Sequence, residues 1–163
     1  SWSRIWPPLF WSLVVLVLFV PVLPYYAVLP SPDSAPFYFQ NARLRFLDTL
    51  LQGGVALAPH DILRLLLPPL WYHDLSYLFD TLLIALGMFY FLCALSVPRA
   101  CAWLSGGILS LAGYSFTLIA AGHRGFFHMG VYAVFMLGFI VRAMQWGHWR
   151  YFFLAGACAA WLT

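Results

Sequence analysis

The stretch IAAGHRGFFHMG, Ile119 to Gly130, gathers two histidines, one arginine and three glycines between segments that are otherwise almost wholly apolar. Glycines expose backbone N–H groups, an arginine offers a bidentate fork and a histidine a further donor, so the Gly122-His123-Arg124-Gly125 turn has the chemistry of a phosphate site. The plainer reading is a tight loop with Arg124 reaching lipid headgroups. His128 and Tyr132 continue a polar edge beyond the turn and favour a site.

Two carboxylates belong with it. Asp33, in PSPDSAP, sits in a short loop pinned by prolines, where a carboxylate can be held beside a reacting hydroxyl as a general base; the same residues also make a good Asx turn. Asp80 lies inside an apolar segment, where an ionisable group is costly unless it faces a bundle interior with partners. His73, Tyr77 and Asp80 recur at helical spacing and form one polar stripe. A helix-to-helix hydrogen bond or a snorkelled group would account for that stripe equally well.

Other chemistries find less. His60-Asp61 and His73-Asp74 pair imidazole with carboxylate, but match no compact ligand motif, so no metal residue is assigned and a divalent cofactor is left open. WYHDLSYLFDTLLIALG is faintly similar to the rhomboid protease segment ahead of the catalytic serine, yet Gly113-Tyr114-Ser115-Phe116 lacks the final glycine of a G-x-S-G turn. Cys93, Cys101 and Cys158 fall in apolar segments without ligand spacing and are read as packing residues. No segment concentrates basic residues into a stripe, which argues against nucleic acid as a partner.

The elements that must position these residues are membrane elements by composition. Of 163 residues, 64% are apolar and 8% charged, with a mean hydropathy of +0.87, outside the range of a soluble domain and the opposite of a disordered one. All eight basic residues are Arg and all five acids Asp. Spans of about 20 residues are expected at about 9–28, 75–96, 100–121, 127–145 and 151–163, the last cut by the chain end. The first is read as a retained span rather than a signal peptide, because no A-x-A site follows it, with Pro21 and Pro24 kinking or ending it.

Residues 29–73 are expected to form an outer loop with interfacial amphipathic helices. There, apolar positions 42, 46, 47, 50 and 51 share a face beside Arg43, Arg45 and Asp48. The fold class is therefore an all-α polytopic bundle of about five spans. Ala102, Gly106 and Ser110 make a small-residue face that lets helices approach closely. Arg4, Arg99, Arg142 and Arg150 fall on one, acid-free side; Asp33, Asp48, Asp61 and Asp74 fall on the other. The acid-free side is read as cytoplasmic, which puts the N-terminus inside and His60, His73, His123 and His128 outside. The absence of an initiator Met and the stop at Thr163 in mid-segment lead us to expect a fragment of a longer polypeptide.

With these parts in place, the chain resembles the amino-terminal part of the YfhO-like bacterial membrane proteins, in the GT-C class of glycosyltransferases. The likeness covers the order of parts, and the stretch YSFTLIAAGHRGFFHMGVYAVFMLGFIVRAM carries it most. That family has AGH-x-G-K there, matched by Ala121, Gly122, His123, Arg124 and Gly125, with Phe126 in place of the Lys. The resemblance implies sugar transfer from a polyprenyl-phosphate donor to an acceptor on the outer face of the bacterial inner membrane. Asp33 would be the base, and His123 and Arg124 would sit near the donor phosphate. Asp80 and His128 are counted with the substrate-binding residues, and the partners expected are the lipid-linked donor and membrane lipids. A non-catalytic transporter half or assembly scaffold, with Asp80 and the histidines as proton or ion groups, is the alternative.

Overall fold

The computed structural model describes residues 6–19, 51, 59, 63, 66–113 and 124–162; at 6–8, 19, 69–71, 73–74 and 124–126 it describes the backbone alone. Among the described residues it is all-helical, with five helices and no strand: α1 Trp6–Phe19, α2 Pro69–Ala94, α3 Arg99–Ser110, α4 Arg124–Trp146 and α5 Trp149–Ala160.

Helix α2 is the centre of the fold. Its 26 residues rise about 39 Å at 1.5 Å per residue. It starts where Pro68 serves as N-cap and Pro69 takes the first helical position, the place where a missing N–H costs nothing. The expected outer loop at 29–73 therefore overruns: residues 69–73 already belong to this helix. At the other end the N–H of Ser96 donates to Cys93 O and that of Val97 to Leu92 O, with Ser96 at φ 63°. That is a left-handed helix stop in which a serine stands where glycine is usual.

Helices α3 and α4 flank α2. Phe89 stacks on Trp103 with centroids 4.1 Å apart, and a Cβ added to Gly106 would come 2.5 Å from Ala85 O, so α2 and α3 are antiparallel and in backbone contact. Ala102, Gly106 and Ser110 are all buried, as their spacing predicts. Helix α3 ends at Ser110 with Leu111 as C-cap, within the span expected over 100–121, of which residues 114–121 lie outside the described residues. Both the Ser110 hydroxyl and the Leu111 N–H donate to Gly107 O, each at 3.0 Å, and a serine bonded back to the preceding turn favours a helix end.

Helix α4 follows α2 in the same direction. Gly87 receives the Phe135 ring and Gly138 receives the Tyr90 ring, so each helix lends the other a gap for an aromatic side chain. Further along, Gln145 Nε2 donates to Ala94 O at 2.6 Å and an Arg142 guanidinium nitrogen to Cys93 O at 3.4 Å. These side chains satisfy the final carbonyls of α2, where a cation also suits the helix dipole. Gly147, at φ 63°, donates its N–H to Ala143 O and turns the chain into α5, which packs back on α4 through Tyr132, Cys158 and Trp161. Helix α1 closes on α2 and α3, with the Trp11 ring against Gly107 and Val15 in a core shared with Tyr77, Ile84, Phe127 and Val131.

Two of these helices, at Leu75–Ala94 and Phe127–Trp146, are long and apolar enough to cross a membrane. Helices α3 and α5, capped at both ends, have 12 residues each, about 18 Å, short of the ~30 Å a crossing needs; α1 is described over 14 residues, and the rest of the span expected at 9–28 lies outside the described residues.

Candidate functional site

The polar centre among the described residues is the seam between α2 and α4. On α2, Ser76, Tyr77, Asp80 and Thr81 are all buried, their spacing placing them on one side of the helix. The Thr81 hydroxyl donates to Tyr77 O at 2.7 Å, so this threonine is satisfied within its own helix. Asp80 meets α4: its Oδ2 lies 2.9 Å from His128 Nδ1, with the two side chains 3% and 12% exposed. Carboxylate and imidazole are at ion-pair distance inside the bundle.

The surroundings explain why they meet. Tyr77 and Ile84 on α2 and Phe127 and Val131 on α4, each within one helical turn of Asp80 or His128 in sequence, share one buried apolar cluster, and the low exposure of the pair leaves little water to solvate a lone carboxylate. Isolated, such a group would be expensive to hold; paired, each side chain offsets the other's loss of solvent. Parallel packing makes the pairing possible, because both residues sit in the N-terminal halves of their helices. Arg124 is the first residue of α4, one helical turn before His128, so its backbone stands at the same end of the seam.

Of the residues singled out in the sequence, Asp80 and His128 are brought together. The snorkelled alternative for Asp80 is removed by its burial, and the helix-to-helix contact holds. Asp33 and His123, like His60 and Asp61, lie outside the described residues, and for Arg124 and His73 only the backbone position is described. Tyr132 is buried against Trp161 of the α5 end, ring centroids 5.2 Å apart, which draws it toward α5. No group of three His, Cys, Asp or Glu side chains poised for a metal ion occurs among the described residues. Cys158 is buried and Cys93 half-buried, but Cys101 is exposed on α3, so the packing role expected of it does not apply.

Sequence reasoning passed over Ser76 and Thr81, which belong to the buried polar face of α2. The signal was present: Ser76 precedes Asp80 by four residues, on the same face. It also read Arg142 as a topology marker only, whereas its guanidinium reaches the end of α2. A crevice of about 70 Å³ between α1, α2 and α3, lined by Trp11, Ser12, Leu82, Ala85, Leu86 and Trp103, is mostly apolar and lacks a titratable group. No protein family, curated protein or solved structure matches the chain.

Proposed function

We propose that this is a polytopic membrane protein and that the α2–α4 seam belongs to a site for a lipid-linked sugar, used in glycosyl transfer of the GT-C type. Membrane residence is supported by where the apolar surface lies. In the two long helices only 39% and 28% of the spanning windows is buried, and α1 turns Leu9, Leu13, Leu16 and Val17 outward. In water that exposure would forfeit about 25 cal/mol for each Å² of apolar surface, and contiguous patches of that kind mark membrane or partner contact.

The single observation that carries a site at this seam is the Asp80–His128 contact, since an ionisable pair inside a membrane bundle marks function by default. It stands one turn from Arg124, the first residue of α4. In this reading Asp33 takes the acceptor hydroxyl's proton, and His123 and Arg124 hold the donor phosphate. Asp80 and His128 order the base of the pocket, and Phe126 leaves the usual lysine contact unfilled. The site faces outward from a bacterial inner membrane, with the N-terminus cytoplasmic.

The test is transfer of radiolabelled sugar from a polyprenyl-phosphate donor by vesicles holding the full-length protein. Transfer is expected, abolished in Asp33→Asn and weakened in His123→Ala and Arg124→Ala; an Asp33→Asn variant that still transfers defeats the catalytic assignment. The same buried pair favours a second reading, a transporter half or scaffold in which Asp80 and His128 handle protons. Flux driven by a pH gradient and lost in Asp80→Asn, with no consumption of lipid-linked sugar, would select it.

A further inference from the structure

The opposite end of the bundle carries a cationic surface that the proposed site does not use. At the elbow between α4 and α5, Arg142 lies over the Trp146 ring at 4.5 Å, Trp146 meets Tyr151 edge-on at 5.4 Å, and Arg150 lies over Tyr151 at 5.2 Å. His148 tilts against the same tyrosine, 6.4 Å between centroids. The rings join two guanidiniums and an imidazole into one surface. Arg99, exposed at the start of α3, is at the same end of the bundle.

No described carboxylate balances these charges. Among the described residues the acids are Asp74 and Asp80, both in the first half of α2. Asp80 stands roughly 20 Å of helix from the end of α2, beyond the ~8–10 Å over which charges feel each other in physiological salt. Arg142 is partly committed to Cys93 O, which leaves Arg150, Arg99 and His148, all exposed, to meet an outside anion.

Large apolar side chains flank the elbow: Met144 is 78% exposed, Trp149 77% and Phe153 68%. A free anion would use the cations and leave these in water. A ligand with a phosphodiester and acyl chains would cover both, and tryptophan and tyrosine suit the depth where headgroup meets chain. We propose that the α4–α5 elbow, together with Arg99, binds the headgroup of an anionic phospholipid, with its acyl chains along Met144 and Phe153. The inference rests on the membrane residence proposed above, and not on the transfer reaction.

Native mass spectrometry of the full chain, released from nanodiscs holding equal phosphatidylglycerol and phosphatidylcholine, tests it. Retained lipid should be enriched in phosphatidylglycerol. Arg150→Gln and Arg99→Gln should each cut that preference about fivefold, from about 1 kcal/mol per basic residue near the surface, while Arg150→Lys keeps it and circular dichroism shows unchanged helix. Equal retention of the two lipids by inserted wild-type protein would overturn this inference alone. Displacement of phosphatidylglycerol by inorganic phosphate, but not by chloride at the same ionic strength, would overturn the lipid as occupant in favour of a free anion. A chain that enters no nanodisc would overturn both this inference and the membrane reading.

Discussion

Asp80 and His128 depend on each other, and that dependence can be measured. Truncating either one, as Asp80→Ala or His128→Ala, removes half of a buried carboxylate–imidazole contact and should cost about 3–5 kcal/mol. Replacing both by apolar residues, as Asp80→Leu with His128→Leu, should restore much of the loss, so that thermal unfolding in detergent shows strong non-additivity. Additive effects would mean that the 2.9 Å contact contributes nothing. A quieter residue offers a gain: Ser96 holds φ 63°, which disfavours a side chain, so Ser96→Gly should stabilise by about 0.5–1 kcal/mol. Gly147→Ala, at the same φ, should destabilise by about 1 kcal/mol; the opposite signs are the check. The presence of Asp80 and His128 as isolated polar groups was legible in the sequence, because lone ionisable groups in apolar helices stand out. Their partnership was not, since it depends on which helices are neighbours and in what register, information that no single segment contains. Ser96 was equally hidden: a serine is read as an ordinary turn residue until its φ is known.

At the scale of elements, the close approach of α2 and α3 rests on the absence of one side chain. A Cβ at Gly106 would meet a backbone carbonyl oxygen, Ala85 O at 2.5 Å, and backbone yields less than the end of a flexible side chain. Gly106→Ala should therefore cost about 1–3 kcal/mol through overpacking. Gly156→Ala, with nothing within 4 Å of the added carbon, should be neutral or stabilising by up to about 1 kcal/mol through helix propensity. Unfolding midpoints of the two variants, measured side by side, separate packing from propensity; a Gly106→Ala protein as stable as its parent would contradict the contact. The four-residue spacing of Ala102, Gly106 and Ser110 made this face readable in advance. Helix ends were harder. The stop at Ser110 depends on a hydroxyl turning back to Gly107 O, and the start at Pro69 on which of two adjacent prolines takes the first helical position. Hydropathy sees neither.

Across the whole molecule, the two ends of the bundle differ in chemistry: buried carboxylate and imidazole near one, guanidinium and indole at the other. If the outward apolar surface faces lipid, alkaline carbonate should leave the chain in the membrane pellet and only detergent should release it; recovery in the carbonate supernatant would contradict membrane residence. Composition carried the all-helical reading, because so apolar a chain has few alternatives, but the number of crossings did not follow from it. Neighbouring helices in the chain run antiparallel, whereas α2 and α4 run parallel, as the matched pairs Asp80–His128 and Ala94–Gln145 require. This arrangement sets a timetable for biosynthesis. Asp80 leaves the ribosome well before His128, and the acid has to await its imidazole until the intervening chain has doubled back and α4 has been made. Nascent chains halted ahead of α4 would carry a solitary aspartate, and such arrested products are where quality-control proteases should find this protein most vulnerable.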